Sequence, residues 1–287
     1  MLNLLFFEEY EVTFALNHID MKLLLVLLSL LTFNNAPETY SDRISEETTL
    51  WGQTGHRVIG LIAEGHLTRK ASRKIEKLLE GKSLAFVSTY ADEIKSDRAY
   101  SKYGPWHYVN YALGTNYDVS NRDDAGDIIF GIEQCVKVLS DVNSSVEEQQ
   151  FHLALLVHLI GDMHMPLHAG REEDRGGNDI KLSWFSKPTN LHRLWDSDLI
   201  ESVNLSYTEL AAELNSQLSS KQLIRYNSGT YLDWIEDSHE AAASIYDSAK
   251  EGDRLAYRYS YEYNDLLFAQ LQKGGVRLAR LLNQLFD

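Results

Sequence analysis

The segment from Val146 to Met165 is the feature that most limits what this chain can fold into. Its residue spacing predicts an α-helix that is apolar on nearly every face, and such a helix lies inside a protein. It nevertheless carries His158 and Asp162, which are four residues apart and so share one face. A buried carboxylate without a partner is destabilising or becomes protonated. Because this segment contains no Lys or Arg, the sequence favours a metal ion beside Asp162 over a hydrogen-bonded Asp near a helix end.

Other histidines and aspartates extend this pattern along the chain. His192 and Asp196 form a second pair with the same four-residue spacing. The remaining members of the set are His56, Asp92, His107 and His168. Taken singly, Asp92 would be a helix N-cap, and His192 with Asp196 would be a surface pair. As a set they predict a metal centre, and zinc suits mixed nitrogen and oxygen ligands without thiolate.

The composition predicts one helical domain. The 287 residues are 44% hydrophobic and 24% charged, which is typical of a globular protein. Only four prolines occur, so long helices are permitted, and no repeat or Gly/Ser linker divides the chain. The sequence therefore predicts an all-α fold, with one small β-hairpin strand where residues 179–185 alternate between polar and apolar.

The apolar periodicity and capping residues predict the individual helices. A helix begins at Thr54, and a second one, capped by Thr68, ends before Gly81. Further helices are predicted over 128–142, 146–165, 190–203, 207–217, 231–250 and 255–285, the last broken at Gly274-Gly275.

The remaining histidines and the single cysteine are assigned no ligand role. His66 and His152 are expected to be packed or at the surface, and His239 to be solvated. His164 lies two residues from Asp162 and is expected to donate a hydrogen bond to a ligand carboxylate. Cys135 is predicted to be a small core residue.

The first 50 residues are predicted to lie outside the catalytic domain. Residues 1–20 are too acidic for the start of a signal peptide and are interpreted as a doubtful extension. Residues 21–36 have a basic residue before a short apolar run, which is typical of a secretory signal peptide. Residues 37–50 are polar and acidic and are interpreted as a pro-segment, so the catalytic domain is predicted to span 51–287.

The dispersed motifs resemble those of a known family. They are W-G-x-x-G-H from Trp51, A-D-E-I-K around Asp92, W-H-Y-V-N around His107, H-L-I-G-D-M-H-M-P-L-H from His158, G-G-N-D from Gly176 and N-L-H-R-L-W-D around His192. Their order and spacing resemble the S1/P1 nucleases, three-zinc enzymes that cut single-stranded nucleic acid and remove 3′-phosphates. The absence of a second cysteine excludes an intrachain disulfide and indicates a bacterial-type member.

The resemblance implies a single helical domain of the phospholipase C/P1 nuclease type and three zinc ions per chain. It implies that Asp162 bridges two of the zinc ions. The implied zinc ligands are Trp51, His56, Asp92, His107, His158, Asp162, His168, His192 and Asp196. Trp51 would bind through its α-amino group and carbonyl, which requires a chain that begins at Trp51. The alternative for Trp51 is a core tryptophan at a helix start.

Three further positions are predicted to bind substrate, and each departs from the family pattern. Lys95 stands where the fungal enzymes carry an arginine thought to contact phosphate. Its ammonium group offers a point charge, whereas a guanidinium group can donate two parallel hydrogen bonds to a phosphate. Tyr108 replaces a phenylalanine on which a base stacks, and Asn110 replaces an aspartate that reads the base edge. The alternatives are an exposed helix lysine and two residues that pack beside His107. Catalytic roles are implied for Asp92, Asp162 and Lys95.

The charge of the chain indicates which substrates it can engage. The net charge is −15, of which residues 1–50 contribute −6 (two basic and eight acidic residues), which leaves −9 for 51–287. A non-specific duplex binder is normally strongly basic, and this chain has no Lys/Arg stripe. The sequence therefore favours single-stranded nucleic acid or 3′-nucleotides as substrates. A monomer without a stable protein partner is the default expectation.

The implied reaction is hydrolysis of DNA and RNA to 5′-nucleotides and removal of 3′-phosphates, with a zinc-bound hydroxide as the nucleophile. The signal peptide predicts a secreted or periplasmic enzyme that is not inserted in a membrane after processing. Two alternatives remain open: a zinc phospholipase C-like lipid phosphodiesterase and a non-catalytic helical zinc protein. The short spacing from Trp51 to His56 and the aspartate at 196 favour the nuclease, and the lack of cysteine ligands disfavours a structural zinc protein.

Overall fold

Helices make up most of the structure, a computed structural model that describes residues 52–287. The α-helices are α1 (Gln53–Gly65), α2 (Arg69–Leu78), α3 (Leu84–Val87), α4 (Tyr90–Glu93), α5 (Ile128–Ser140), α6 (Val146–Met163), α7 (Leu191–Arg193), α8 (Leu199–Glu201), α9 (Tyr207–Ser216), α10 (Ser220–Tyr226), α11 (Tyr231–Ser248) and α12 (Tyr257–Phe286). The 3₁₀ helices are Ile94–Ser96, Arg98–His107, Val119–Asn121, Pro166–Ala169 and Glu172–Asp174, and a π-helical turn, Leu194–Asp198, joins α7 to α8. The all-α fold class is confirmed.

The helix starts follow the capping signals in the sequence. The Thr68 side chain accepts a hydrogen bond from the Ala71 N–H at the start of α2, as predicted. Helix α6 begins with a capping box in which Ser145 and Glu148 satisfy each other's backbone N–H groups. The short helices α3, α4 and α10 were not predicted, because four to seven residues are too few for a periodic pattern to be recognised.

The predicted strand belongs to a three-stranded sheet. Strand β1 (Lys181–Trp184) pairs antiparallel with β2 (Lys187–Asn190), in register from Lys181 opposite Asn190. A short third strand, β3 (Arg254–Leu255), pairs parallel with β1. Strand β3 was not predicted, since two residues that pair across a long connection leave no local pattern.

The predicted break at Gly274-Gly275 is wrong, because α12 runs through both glycines without interruption. A Cβ added at Gly275 would lie 2.4 Å from Ile62 Cγ2, and one at Gly274 would lie 2.8 Å from Ile59 Cδ1. The two glycines therefore allow α12 to pack closely against α1. Their role is in packing between helices and not in ending one.

Helix α6 lies at the centre of the hydrophobic core. Its residues from Leu153 to Met163 are buried, including His158 and Asp162, as the sequence predicted. Cys135 on α5 is also fully buried, which confirms its assignment to the core. Helix α6 packs against α5 on one side and approaches α1, α3, α4 and α12 on others.

Gly60 allows the close approach of α1 to α3, and we expect Gly60→Ala to destabilise the protein. The added Cβ would lie 2.8 Å from the backbone nitrogen of Ala85, and backbone cannot move aside cheaply. Overpacking of this kind costs about 1–3 kcal/mol. Urea unfolding measures the effect. The matched control is Gly65→Ala in the same helix, where the Cβ would meet only the Asn215 amide at 3.7 Å. Equal stability of the two variants would contradict the prediction.

The predictions for residues 1–50 and for Trp51 lie outside the described residues. They concern the extension, the signal peptide, the pro-segment and the ligand at the start of the catalytic domain. Within 52–287, no helix combines the length and apolar character needed to cross a bilayer.

Candidate metal centre

The predicted histidines and aspartates converge into three ligand groups, two of which share His158. The Asp92 group contains Asp92, His107 and His158; the His56 group contains His56, His158 and Asp162; the His168 group contains His168, His192 and Asp196. Within each group, one nitrogen or oxygen atom per residue lies within 4.8 Å of the others. Every predicted ligand among the described residues is in one of them. They come from seven separate elements of the fold, and the core brings them together.

Asp162 lies at the junction of the three groups. Its Oδ2 is 2.8 Å from His107 Nδ1 and 3.0 Å from His158 Nε2. Its Oδ1 is 3.4 Å from His56 Nε2 and 3.2 Å from His168 Nδ1. The carboxylate is fully buried. One side chain thus reaches ligand atoms of all three groups, which is the arrangement expected of a bridging ligand.

The Asp92 group is assembled from α4, the 3₁₀ helix Arg98–His107 and α6. Asp92 Oδ1 lies 3.2 Å from His158 Nε2 and 3.8 Å from His107 Nδ1. His158 Nδ1 donates to the carbonyl of Ser88, which leaves Nε2 to face the group. Histidine ligands commonly use the second nitrogen in this way, because the hydrogen bond fixes the ring and its tautomer. Asp92 lies inside α4, so its alternative role as an N-cap is wrong.

The His168 group is built from a 3₁₀ turn and the helix that follows the hairpin. His168 Nε2 lies 3.9 Å from Asp196 Oδ1, and the rings of His168 and His192 stack 5.1 Å apart. His192 Nδ1 donates to the carbonyl of Gly176. Asp196 lies in the π-helical turn, a feature often found at functional sites and not predicted by the sequence.

The charged side chains of the centre shift one another's pKa values. Although burial opposes protonation, the Asp162 and Asp92 carboxylates raise the pKa of His158 to about 10. Burial also opposes ionisation of Asp162, but the charges of His158 and His168 hold its pKa well below the usual value. Burial lowers the pKa of His107 to about 4. The histidine and carboxylate charges therefore compensate each other only in part.

Asp196 shows most clearly that this donor set suits a cation. Burial, followed by repulsion from Asp162 and Asp92, raises the pKa of Asp196 well above its usual value. Both of its carboxyl oxygens are buried without a hydrogen-bond partner among residues 52–287. An ionised carboxylate in such a place needs a positive charge. Nitrogen and carboxylate ligands without thiolate fit zinc, so the residues present fit the predicted metal.

The predicted substrate-binding residues lie around this centre. Lys95 Nζ is 3.1 Å from Asp92 Oδ1, and its side chain is partly exposed. Tyr108, next to His107, is 48% exposed, so its ring is available to a ligand. Asn110 Oδ1 is buried without a hydrogen-bond partner in the described part of the chain. Lys95 thus contacts the Asp92 group, and Tyr108 and Asn110 follow His107 closely in the chain.

Two predictions for the other histidines are wrong. His239 is buried and not solvated: it stacks on Tyr111, and its Nδ1 lies 2.6 Å from the carbonyl of Ala169. The ring of His164 hydrogen-bonds elsewhere than to a ligand carboxylate: its Nδ1 donates to the carbonyl of Ile160, and its Nε2 accepts from Arg277. His66 and His152 are partly exposed, as predicted.

Some functional groups could not be found from the sequence. The carbonyls of Ser88 and Gly176 orient two ligand histidines, and any residue type supplies a carbonyl. Gly176 carries one signal, a positive φ of 64°, which is unfavourable for other residues. A Cβ there would also lie 2.5 Å from the carbonyl oxygen of Leu167.

The part of the chain that contains the metal centre is similar to known proteins. Residues 51–287 match the family model described as S1/P1 Nuclease. The chain is 31% identical to Endonuclease 2 of Arabidopsis thaliana over 82% of its own length and 90% of that protein. It is 30% identical to Nuclease S1 of Aspergillus oryzae (66% and 67% covered) and 27% identical to Nuclease P1 of Penicillium citrinum (82% and 97% covered). The bacterial-type assignment stays a prediction.

Proposed function

The chain belongs to the S1/P1 nuclease family, and on that premise we propose that it is a zinc-dependent nuclease. It hydrolyses single-stranded DNA and RNA to 5′-nucleotides and removes 3′-phosphates from nucleotides. The names of its relatives support hydrolysis of nucleic acid. The substrate form, the products and the 3′-nucleotidase activity are our proposal.

One observation carries this proposal: three ligand groups meet at the buried carboxylate of Asp162. Phosphodiester hydrolysis needs positive charge on both the attacking and the leaving side of phosphorus. A carboxylate that reaches several ligand groups fixes their separation. The site can therefore present several cations to one phosphate.

The chain's own residues would hold three zinc ions. Asp92, His107, His158 and Asp162 would hold one; His56 and Asp162, with Trp51, would hold the second; and His168, His192 and Asp196 would hold the third. When bound, zinc supplies Lewis acidity to phosphoryl oxygens and lowers the pKa of water. The Ser88 and Gly176 carbonyls keep His158 and His192 in the tautomers that leave Nε2 available.

The partly exposed residues at the edge of the centre would bind the substrate. Lys95 lies beside Asp92, where its ammonium group can pair with a phosphoryl oxygen. The exposed ring of Tyr108 offers a face on which an unstacked base can lie. Asn110 can both donate to and accept from a base edge. A duplex does not present its bases in this way, so the arrangement favours single strands.

We expect the active protein to contain three zinc ions per chain. The reason is the three ligand groups, each of which brings at least three nitrogen or carboxylate donors together, with His158 and Asp162 available to more than one group. Elemental analysis of purified, dialysed protein measures the count. Asp196→Asn serves as the comparison, because it removes a ligand from the His168 group alone and should lower the count toward two. One zinc or none in a fully active preparation would contradict the assignment.

A panel of three substrates tests the reaction. Single-stranded DNA and 3′-AMP should both be hydrolysed, and phosphatidylcholine should not. Turnover of phosphatidylcholine alone would identify a phospholipase C-like enzyme. A protein that binds zinc and hydrolyses none of the three would be a non-catalytic zinc protein. Double-stranded DNA of the same sequence is the control for strand preference.

We also propose that the enzyme acts as a monomer outside the cytoplasm. The proposal rests on the basic and apolar pattern of residues 21–36, typical of a secretory signal. Detection of activity in the culture supernatant or periplasmic fraction, with the N-terminal residue determined on the same sample, tests the location. Gel filtration of that sample tests the monomer.

A further inference from the structure

Two of the ligand groups are joined by one short stretch of chain. Asp162 lies in the last turn of α6, and His168 follows in the 3₁₀ helix Pro166–Ala169. Asp162 Oδ1 and His168 Nδ1 are 3.2 Å apart. The path of the backbone from 162 to 169 therefore sets the separation of the Asp162 and His168 side chains. Whatever fixes this backbone also fixes the geometry of the centre.

Helix α11 donates two buried hydrogen bonds to that stretch. Ser238 Oγ donates to the carbonyl of Met163 at 2.5 Å, one residue after Asp162. His239 Nδ1 donates to the carbonyl of Ala169 at 2.6 Å, one residue after His168. Met163 and Ala169 are the last residues of their helices, where carbonyls have no partner within the helix. Ser238 and His239 are both buried, so water does not replace them.

The tautomer of His239 can be inferred from its partners. Its Nε2 lies 3.3 Å from the carbonyl of Ala112, a longer contact than the one from Nδ1 to Ala169. Both partners are carbonyl oxygens, which only accept hydrogen bonds. The shorter contact therefore has its proton on Nδ1. The ring also stacks on Tyr111 at 3.8 Å, which fixes its plane.

The same helix also reaches the backbone around His192. Tyr246, two turns after His239, donates from its hydroxyl to Asp174 Oδ1 at 3.0 Å. Asp174 Oδ1 in turn accepts from the N–H of Gly177 at 2.8 Å. The carbonyl of the preceding Gly176 accepts from His192 Nδ1. Helix α11 thus supports the segment that carries Asp162 and His168, and also the segment whose Gly176 carbonyl accepts from His192.

We propose that Ser238 and His239 are positioning residues of the metal centre. They hold the carbonyls that flank the Asp162–His168 stretch, and so they set the separation of the bridging carboxylate from the His168 group. This inference rests on the proposed zinc-dependent function. Ordinary packing of α11 is supplied by its apolar neighbours Ala242 and Ile245, which are fully buried. Polar donors would be a costly choice for packing alone, because a buried donor must find a partner.

The test uses a pair of variants at position 239. His239→Phe keeps a ring that can stack on Tyr111 but removes the donor to Ala169. His239→Asn places an amide N–H near the position of Nδ1 and should restore the hydrogen bond. Ser238→Ala and Ser238→Thr form a second pair of the same kind. The matched controls are Ser244→Ala, an exposed serine of α11, and His152→Asn, a partly exposed histidine.

The measurement is the zinc retained by each protein against increasing chelator. Loss of a group that orients a metal ligand typically weakens metal binding about 10–100-fold. We expect a loss of that size for His239→Phe and Ser238→Ala, substantial recovery in His239→Asn and Ser238→Thr, and none in the controls. The melting temperature of each metal-stripped variant is recorded in parallel. We expect every metal-stripped variant to remain folded at the temperature of the assay, so that a loss of zinc retention reports on the metal centre and not on unfolding.

The possible outcomes are distinct. If wild-type protein retains no zinc, the proposed function fails, and this inference with it. If wild-type protein binds zinc and His239→Phe and Ser238→Ala retain it equally well, only the positioning role is overturned. If zinc retention merely follows the loss of metal-stripped stability, with no recovery in His239→Asn or Ser238→Thr, the two residues are structural and the inference is also wrong.

Discussion

Replacement of Asp162 by Asn is expected to abolish turnover while leaving most of the fold intact. The carboxylate reaches His56, His107 and His168 within 2.8–3.4 Å, so its charge serves more than one ligand group. Removal of one group that stabilises transition-state charge already costs about 10²–10³-fold in rate. A bridging ligand should cost at least about 10³-fold, because two metals are disturbed together. The apolar surroundings of Asp162 on α6 are unchanged by the substitution.

The experiment compares hydrolysis of single-stranded DNA, zinc content and melting temperature in the same preparations. Asp247→Asn is the matched control, since Asp247 is exposed on α11. The control should retain wild-type activity and all of its zinc. An Asp162→Asn protein with a wild-type rate and full zinc would show that the carboxylate does not bridge metals. If Asp162→Asn no longer unfolds cooperatively, the variant is not folded, and Asp162→Glu is tested instead. That substitution keeps the negative charge but moves the carboxylate by one methylene group, and it should also lower the rate.

Full activity is expected to require a chain that begins at Trp51. An α-amino group has a pKa of about 7.7–8, so a metal readily displaces its proton, whereas a peptide N–H cannot ligate in that way. Among the described residues that follow, Gly52 donates its N–H to the carbonyl of Asp196 at 2.5 Å, and His56 belongs to a ligand group. A longer N-terminus should weaken the zinc of the His56 group by at least about 10-fold, the low end of what loss of an orienting group costs.

Two forms of the protein decide this, one that begins at Trp51 and one that begins at Pro37. Their zinc content and nuclease rates are compared at limiting zinc and at excess zinc. We expect the longer form to lose most of its activity at limiting zinc and to recover part of it in excess. Equal rates at limiting zinc would show that the amine is dispensable and that Trp51 is a packing residue.

His158 and Asp162 could be singled out from the sequence because they leave a local signal, whereas Asp92, taken alone, leaves none. A buried helix that carries His158 and Asp162 on one face has few explanations besides a cation. What the sequence does not contain is how the groups share ligands. Contacts such as His107 with Asp162 join residues 55 positions apart in the chain, and only the packing of α6 against its neighbours creates them.

His239 shows why polar neighbours in the sequence can lead to a wrong prediction of exposure. Its neighbours in the chain are Asp237, Ser238 and Glu240, so the local composition predicts a solvated residue. In the structure this polar face of α11 meets the carbonyls at two helix ends, and the hydrogen bonds satisfy both sides. Local composition reports that a face is polar, but not whether water or another part of the backbone is its partner.

The short stretch between Asp162 and His168 also limits how this chain can change in length. Both ends are buried residues of the proposed metal centre, and the segment between them ends α6 and enters a 3₁₀ turn with Pro166 at its start. An added or deleted residue within 163–167 would rotate His168 away from its partners. It would also displace the carbonyls of Met163 and Ala169 from their hydrogen bonds to α11. The exposed stretch around Gly114 and Thr115 has no such anchors at its tip and can accept an insertion. In an insertion scan, we therefore expect insertions within 163–167 to be tolerated least and insertions near Gly114 to be tolerated well.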